Sequence, residues 1–215
     1  MDLSEDLTSP NMFTPKILVL AGSLRAGSYN ARLAALVAKE LALAEADVSR
    51  ISLADYPLPL LDADFLADAG PPDNAFRLKE MFTAHQGVFI ASPEYSASVT
   101  PLLKNAIDWM TRVRERNELN YAAFRGRAFA LGSAVNATAG GSRGLMALRQ
   151  ILELGCGALV IPEQISVGRA DQAFDDMDNL KDEALTATLK TMVRRLIELA
   201  SVMPRTTGDW IHNAD

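Results

Sequence analysis

The chain contains very little cysteine and histidine. Its 215 residues include one cysteine, Cys156, and two histidines, His85 and His212. A single cysteine excludes an intrachain disulfide, and so few soft ligands exclude a Cys/His cluster of the kind that binds zinc. We therefore predict no metal site of this type.

Long apolar runs and an excess of positive charge are also missing. No apolar run approaches the roughly 20 residues of a membrane span, and the amino-terminal MDLSEDLTSPNMFTP lacks the basic segment and apolar core of a secretory signal. Lysine and arginine number 21 against 27 acidic residues, which gives a net charge of -6. That balance provides no basic field for nucleic acid or anionic lipid. We expect a cytoplasmic protein with neither nucleic acid nor membrane as a partner.

What the chain does contain is an alternation of strand-like and helix-like segments. A hydrophobic content of 49% with only 13 glycines and 10 prolines fits one globular domain. Short apolar runs rich in β-branched residues alternate with stretches of helical period, which predicts a doubly wound parallel sheet with helices on both faces. We place this domain at residues 16–203, between an arm over 1–15 and a tail over 204–215. The predicted strands are 16–21, 48–53, 87–91, 127–132 and 158–166.

Three stretches have the apolar spacing of helices that cover a sheet. One stripe runs over residues 33–44, a second over 145–152 and a third over 185–200. Gly155 follows the second stripe and is typical of a helix end.

The loop after the first strand, GSLRAGSYN, combines small residues with anion-binding side chains. Ser23, Ser28 and Asn30 offer donors, and Arg25 offers a charged fork, at the place where a parallel strand leads into a helix. The loop lacks GxxxxGK[ST] and GxGxxG, so a single phosphate monoester suits it better than a triphosphate or a dinucleotide. The alternative is a plain turn in which Ser28 only caps the helix and Arg25 is solvated.

The third strand opens into SPEYSASVTP at the same edge of the predicted sheet. Pro93 fixes the backbone, Tyr95 offers an aromatic surface, and Ser96 and Ser98 offer short donors. This mixture favours a flat heteroaromatic ring with polar edges. The alternative places Tyr95 and Trp109 in the core or an interface, and for Trp109 we prefer this alternative, because helix residues usually pack.

The fourth strand leads to a glycine-rich loop, SAVNATAGG, that joins the same edge. Ser133 and this stretch could complete the ring pocket, with Ser142 capping the next helix, although a plain connection explains them nearly as well. No serine with a paired histidine and acid points to hydrolysis. We predict no catalytic side chain, because the chemistry would belong to a bound cofactor.

These motifs resemble the NADPH-dependent FMN reductase family, a flavodoxin-like group that includes quinone, chromate and azo-dye reductases. GSLRAGSYN is similar to the family's GSxRxxSxN loop, SPEY with LLKNAIDW is similar to its flavin-ring loop and following helix, and GGSRGLMALRQIL is similar to its GG...LRQIL stretch. The resemblance spans about residues 16–200. It implies a flavodoxin-like α/β fold with five parallel strands.

The resemblance also implies which residues bind FMN. The phosphate would be held by Ser23, Arg25, Ser28 and Asn30. The ring would be lined, largely through backbone groups, by Pro93, Glu94, Tyr95 and Ser96, with Ser98 and Ser133 nearby. The chain departs from the family pattern in having Ser96 where asparagine is common, and Thr100 and Pro101 where proline and glycine are common.

By the same resemblance, NADPH or NADH would reduce the bound FMN by hydride transfer, and a small acceptor such as a quinone would take the electrons. A homodimer or homotetramer is implied as well. Two alternatives stay open: a flavodoxin-like carrier that exchanges single electrons with partner proteins, and an anion-binding module without flavin.

Two further segments carry hypotheses. Arg112, Arg114 and Arg116 in TRVRERNE could meet the 2'-phosphate of NADPH, although a solvated loop is the preferred interpretation. The segment DYPLPLLDADFLADAGPPD looks like a long apolar connection, which a partner subunit could cover together with Trp109 and Met110. The competing interpretation folds this segment back over its own sheet.

Overall fold

The computed structural model describes residues 13–115 and 118–204. Over these residues the chain forms one sheet of five parallel strands in the order β2-β1-β3-β4-β5. Since β1 lies between β2 and β3, the chain winds outward from β1 in both directions. The strands are β1 Lys16–Ala21, β2 Asp47–Ser52, β3 Gly87–Ala91, β4 Ala128–Ala134 and β5 Leu159–Val167.

Seven α-helices connect or follow the strands. A 3₁₀ turn over Leu53–Asp55 follows β2, and a π-helical turn over Ile151–Gly155 extends the fifth helix. In the part of the chain that the structure describes, no helix is long and apolar enough to cross a membrane. The helices are α1 Tyr29–Leu43, α2 Ala63–Ala69, α3 Asp73–Thr83, α4 Pro101–Arg112, α5 Ser142–Gln150, α6 Ala170–Ala173 and α7 Glu183–Ala200.

The two faces of the sheet are covered by different helices. Leu33 and Val37 of α1 and Met192 of α7 pack with Val19 and Phe89 on one face. On the other face, α3, α4 and α5 pack against the side chains of alternate strand positions, including Leu18, Leu20, Val88 and Ile90. This arrangement confirms the predicted doubly wound sheet.

The predicted boundaries differ from the observed ones by one or two residues. β2 starts and ends one residue earlier than predicted, because Leu53 belongs to the 3₁₀ turn. β4 extends to Ala134, since its pairing with β5 continues through that residue. The second predicted stripe ends in a π-helical turn that includes Gly155, and the left-handed glycine after the helix is Gly157 (φ 69°), so the predicted stop at Gly155 is two residues early.

The segment after β2 was predicted to be a long connection, and this is only partly right. It contains α2, a short helix that has no buried residue. The carboxylate of Asp62 caps this helix by accepting from the N–H groups of Asp64 and Phe65, both at 2.9 Å. Local capping therefore accounts for this short helix.

This segment folds back onto α4 rather than onto the sheet. The indole Nε1 of Trp109 donates to the carbonyl of Pro59 at 2.6 Å, and the side-chain amide of Asn105 bonds to Leu61 N–H and Pro59 O. Trp109 is fully buried and Met110 is 2% exposed. Of the two packed positions expected for Trp109, core or interface, the structure shows the core, and the use of Trp109 and Met110 as exposed interface anchors is wrong, because their own chain covers them.

Strand β5 contains an irregularity opposite β4. The register shifts between Phe129 and Leu131, and Pro162 lies in the bulged segment. The guanidinium of Arg149 donates to the carbonyls of Val160 (3.3 Å) and Ile161 (2.9 Å). Arg149 of the LRQIL stretch thus stabilises the bulge.

Candidate functional site

The loops after β1 and β3 leave the carboxyl edge of the sheet towards opposite faces, because β1 leads to α1 on one face and β3 leads to α4 on the other. In sheets of this kind ligands bind in the crevice between two such loops. The two loops are tied together: Gly22 N–H donates to Ala91 O at 2.8 Å, and Thr100 Oγ1 donates to Gly22 O at 2.8 Å. Thr100 Oγ1 also accepts from Leu103 N–H and caps α4. Thr100, which differs from the residue common in the family, therefore both caps α4 and links the two loops.

A cavity of about 210 Å³ opens between the loops after β1, β3 and β4. It brings together seven of the ten predicted site residues, whereas Ser96, Ser98 and Ser133 do not line it. The lining residues are Ser23, Arg25, Ser28, Tyr29, Asn30, Pro93, Glu94, Tyr95, Ala134, Val135 and Asn136.

The first turn of α1 borders this cavity with its backbone N–H groups available. Ser28 occupies the predicted N-cap position, although its side chain makes no cap hydrogen bond. The first N–H groups of a helix have no partner within the helix, and the helix dipole is positive at this end. The turn at Ser28, Tyr29 and Asn30 therefore presents donors to an anion.

Arg25 lies at the exposed rim of the cavity. Its Nη2 donates to Gly27 O at 3.2 Å, and its guanidinium lies 5.5 Å from the centre of the Tyr29 ring. These contacts hold the charge beside the start of α1. The remaining N–H groups of the guanidinium can reach an anion there.

The side chain of Asn30 has a different role from the predicted one. Its Nδ2 donates to Ala134 O at 2.8 Å and its Oδ1 accepts from Ala134 N–H at 3.0 Å. Asn30 is 3% exposed. The amide therefore fixes α1 to the end of β4, and the contribution of Asn30 to an anion site falls to its backbone N–H.

The loop after β3 ends in a tight two-residue hairpin. Tyr95 and Ser98 exchange two backbone hydrogen bonds, at 3.0 and 2.9 Å, around Ser96 and Ala97. Ser96 (φ 48°) and Ala97 (φ 61°) both lie in the left-handed region. Ser96 and Ser98 are exposed, and Tyr95 is 54% exposed. The hairpin thus presents the Tyr95 ring at the mouth of the cavity.

Glu94 anchors this loop to α5. Its Oε2 accepts from Gly144 N–H at 2.9 Å, and its Oε1 accepts from Nε (3.0 Å) and Nη2 (2.6 Å) of Arg143. The Gly144 hydrogen bond, with help from Arg143, lowers the pKa of the Glu94 carboxyl. Glu94 therefore lines the cavity as a carboxylate whose oxygens are already engaged.

Ser133 lies behind the cavity rather than in it. It is fully buried, and its Oγ has no hydrogen-bond partner among the described residues. Gly141 (φ +79°) lies directly against it, and a Cβ on Gly141 would overlap the hydroxyl. Gly141, not Ser142, is also the N-cap residue of α5, and Ser142 is the first helical residue. The predicted cap at Ser142 is wrong.

Arg112 ends α4 and Arg114 follows it as an exposed residue, while Arg116 lies outside the described residues. Neither Arg112 nor Arg114 lines the cavity. Sequence reasoning did not single out Tyr29 among the lining residues, whereas residues 134–136 lie in or beside the glycine-rich stretch that was expected to complete the pocket. Tyr29 stands inside the GSLRAGSYN motif, so its position in the loop was the available signal.

The donor set fits a phosphate monoester joined to a flat ring. Backbone N–H groups, two serine hydroxyls and Arg25 converge on one side of the cavity, while Pro93, Tyr95 and Val135 give apolar surface on the other. The lining contains neither histidine nor cysteine. FMN combines these two chemical parts, so the residues present fit it.

The fold and the cavity define a flavodoxin-like α/β protein. The profile of the NADPH-dependent FMN reductase family matches residues 15–172. The chain belongs to this family of oxidoreductases.

Known relatives agree with this assignment. The chain is 33% identical to the NAD(P)H-dependent FMN reductase of Pseudomonas aeruginosa over 183 residues, which are 84% of this chain and 92% of that protein. It is 36% identical to the quinone reductase of Escherichia coli K12 over 64% of this chain and 69% of that protein. Among solved structures, the flavoenzyme NAD(P)H:(acceptor) oxidoreductase FerB of Paracoccus denitrificans superposes with a TM-score of 0.70 at 27% identity, covering 86% of this chain and 97% of FerB.

Proposed function

We propose that the protein is an FMN-dependent oxidoreductase: NADH or NADPH reduces its bound FMN by hydride transfer, and a small acceptor such as a quinone then takes the electrons. One observation carries this proposal. The first turn of α1 and the Pro93–Tyr95 loop line a single cavity that brings phosphate donors together with the apolar surface of Pro93 and Tyr95. The relatives named quinone reductases support the choice of acceptor class.

The residues of the chain would bind and orient rather than react. Ser23, Arg25, Ser28 and the N–H groups that begin α1 would hold the phosphate, and Pro93 and Tyr95 would lie beside the ring. When bound, FMN supplies the redox chemistry: it accepts hydride from the donor and passes electrons to the acceptor. Donor and acceptor would use the same opening of the cavity in turn.

Anaerobic stopped-flow absorbance tests the proposal. The purified protein, reconstituted with one FMN per chain, is mixed with NADH or NADPH, and bleaching of the flavin band is followed. A quinone added afterwards should restore the band. If neither donor bleaches the flavin, the enzyme assignment fails, and a long-lived one-electron state in a redox titration would favour the electron-carrier alternative.

We further propose that the protein forms a homodimer or homotetramer in the cytoplasm, where NADPH and NADH are available. The segment folded onto α4 leaves Leu60 79% exposed and Phe65 41% exposed. Exposed apolar side chains on one segment favour a subunit contact. Sedimentation at micromolar concentration should give at least twice 23.3 kDa. Leu60→Asp should lower that mass, whereas the control Leu43→Asp, at the exposed end of α1, should not; a wild-type monomer would refute the assembly.

A further inference from the structure

Glu94 joins two loops that border the cavity. Both oxygens of its carboxylate accept hydrogen bonds from the first turn of α5, one from Gly144 N–H and the other twice from Arg143. The Glu94 side chain is 8% exposed and that of Arg143 is 64% exposed. A carboxylate engaged through both oxygens has a fixed position, because charge-assisted bonds are short and directional.

Gly144 allows α5 to approach both ends of the hairpin. A Cβ on Gly144 would lie 3.1 Å from Glu94 Cβ and 3.2 Å from Ser98 O. These separations are tighter than ordinary van der Waals contact. The start of α5 therefore forms the surface against which the Tyr95–Ser98 hairpin rests.

The hairpin needs such support. Ser96 and Ala97 are both non-glycine residues in the left-handed region, which is unfavourable for side chains with a Cβ. Backbone of this kind persists where the surrounding structure fixes it. Besides the two bonds between Tyr95 and Ser98, the Glu94 hydrogen bond to Gly144 and the close approach of Gly144 to Ser98 O hold the hairpin against α5.

We propose that Glu94 is a positioning residue: through Arg143 and Gly144 it holds the Tyr95–Ser98 hairpin in the conformation that receives the flavin ring, and it leaves the phosphate site unaffected. This inference rests on the proposed function. Two parts of the cavity would then have separate roles: Arg25 would bind the phosphate, and Glu94 would position the hairpin beside the ring.

Glu94→Gln is the appropriate change. The amide is nearly isosteric and can still accept from Gly144 N–H, but its NH₂ group would meet the Arg143 guanidinium, donor against donor. The dissociation constants of FMN and of riboflavin, which lacks the phosphate, are measured by flavin fluorescence. We expect Glu94→Gln to raise both by about 10-fold. Arg25→Ala should raise the FMN constant and leave the riboflavin constant unchanged.

A matched control removes an equivalent charge elsewhere. Glu163 on β5 pairs with Arg195 of α7 on the surface, and Glu163→Gln should change neither flavin constant. Hydrogen exchange of the flavin-free protein gives a readout that needs no flavin. The amides of Tyr95 and Ser98 should exchange faster in Glu94→Gln than in wild type or Glu163→Gln.

Each outcome decides the proposal. Unchanged flavin constants with unchanged exchange would overturn it, and so would a loss of FMN affinity with riboflavin affinity intact, because Glu94 would then act on the phosphate. If Glu94→Gln does not fold, Arg143→Met keeps the Gly144 bond and should show the same pattern with about a 3-fold effect. If wild type binds no FMN, the proposed function fails, yet exchange at Tyr95 and Ser98 still reports whether Glu94 orders the hairpin.

Discussion

Asn30→Ala should destabilise the protein before any ligand is present. The amide makes two hydrogen bonds to the backbone of Ala134, the last residue of β4, at 2.8 and 3.0 Å. Without it, one N–H and one C=O lose their partner, at about 1 to 3 kcal/mol each when buried. Ala134 borders the cavity, so water can reach it in part. We therefore expect the free energy of unfolding to fall by about 2 to 4 kcal/mol.

The assay is urea or thermal unfolding of the flavin-free protein, followed by circular dichroism. For a domain of this size the expected loss corresponds to a midpoint about 5 to 12 °C lower. Asn74→Ala is the matched control, because the Asn74 amide also donates to a carbonyl, Pro57 O at 3.0 Å, but at an exposed position. It should change the unfolding free energy by less than about 1 kcal/mol.

One combination of results would contradict a bracing role for the Asn30 amide. If flavin-free Asn30→Ala is as stable as wild type while its affinity for FMN falls, the amide binds phosphate and does not brace β4. Asn30→Asp adds a second check. It keeps an acceptor for Ala134 N–H but sets a carboxylate against Ala134 O, so it should be less stable than wild type even without flavin.

Four other changes test separate features. Arg25→Ala should raise the FMN dissociation constant by roughly 10- to 150-fold with an unchanged circular dichroism spectrum; an unaltered constant would reject the phosphate assignment. Trp109→Phe removes the buried bond to Pro59 O and should lower the unfolding free energy by about 1 to 3 kcal/mol without changing the sedimentation mass, and dissociation into monomers would contradict its burial within the chain. Burial raises the pKa of the Cys156 thiol to about 11, so native protein should resist iodoacetamide at pH 8 and react in urea; rapid native labelling would count against this. Burial lowers the pKa of His85. As the pH falls below about 6.5, His85 therefore binds a proton in the unfolded chain before it does so in the folded protein, and the free energy of unfolding drops. His85→Gln should reduce that drop between pH 7.5 and 5.5, and an unchanged drop would show that other groups cause it.

The three central strands, β1, β3 and β4, were predictable because they are buried on both faces. Such strands are short, continuous apolar runs, and the helical stretches between them differ clearly in period. Helix α2 was harder to recognise, since it buries none of its own residues. The signal for it was Asp62, a good N-cap residue placed directly before Ala63.

The residues of the candidate site were largely predictable, but their partners were not. The motifs follow parallel strands, so their loops had to meet at one edge. Asn30 and Glu94 instead pair with Ala134 and Gly144, which lie 104 and 50 positions along the chain. Spacing within a motif carries no information about such distant pairings.

The buried position of Ser133 could have been predicted from the alternation of side chains along its strand. Side chains alternate along β4, so Ser133 shares a face with Phe129 and Leu131. Those two residues pack on the side covered by α5. Alternation therefore predicts Ser133 beneath that helix and away from the open cavity.

The bulge in β5 has a consequence for self-association through the sheet. An exposed edge strand can recruit a strand from another molecule only through free N–H and C=O groups. Pro162 has no N–H, and two carbonyls of the same segment, those of Val160 and Ile161, already accept from Arg149. β5 is thereby a poor template for fibril growth or for a sheet continuous between subunits. This edge of the sheet is therefore unsuited to pairing between copies of the chain, and Arg149→Met would free both carbonyls and make the purified protein more prone to aggregate.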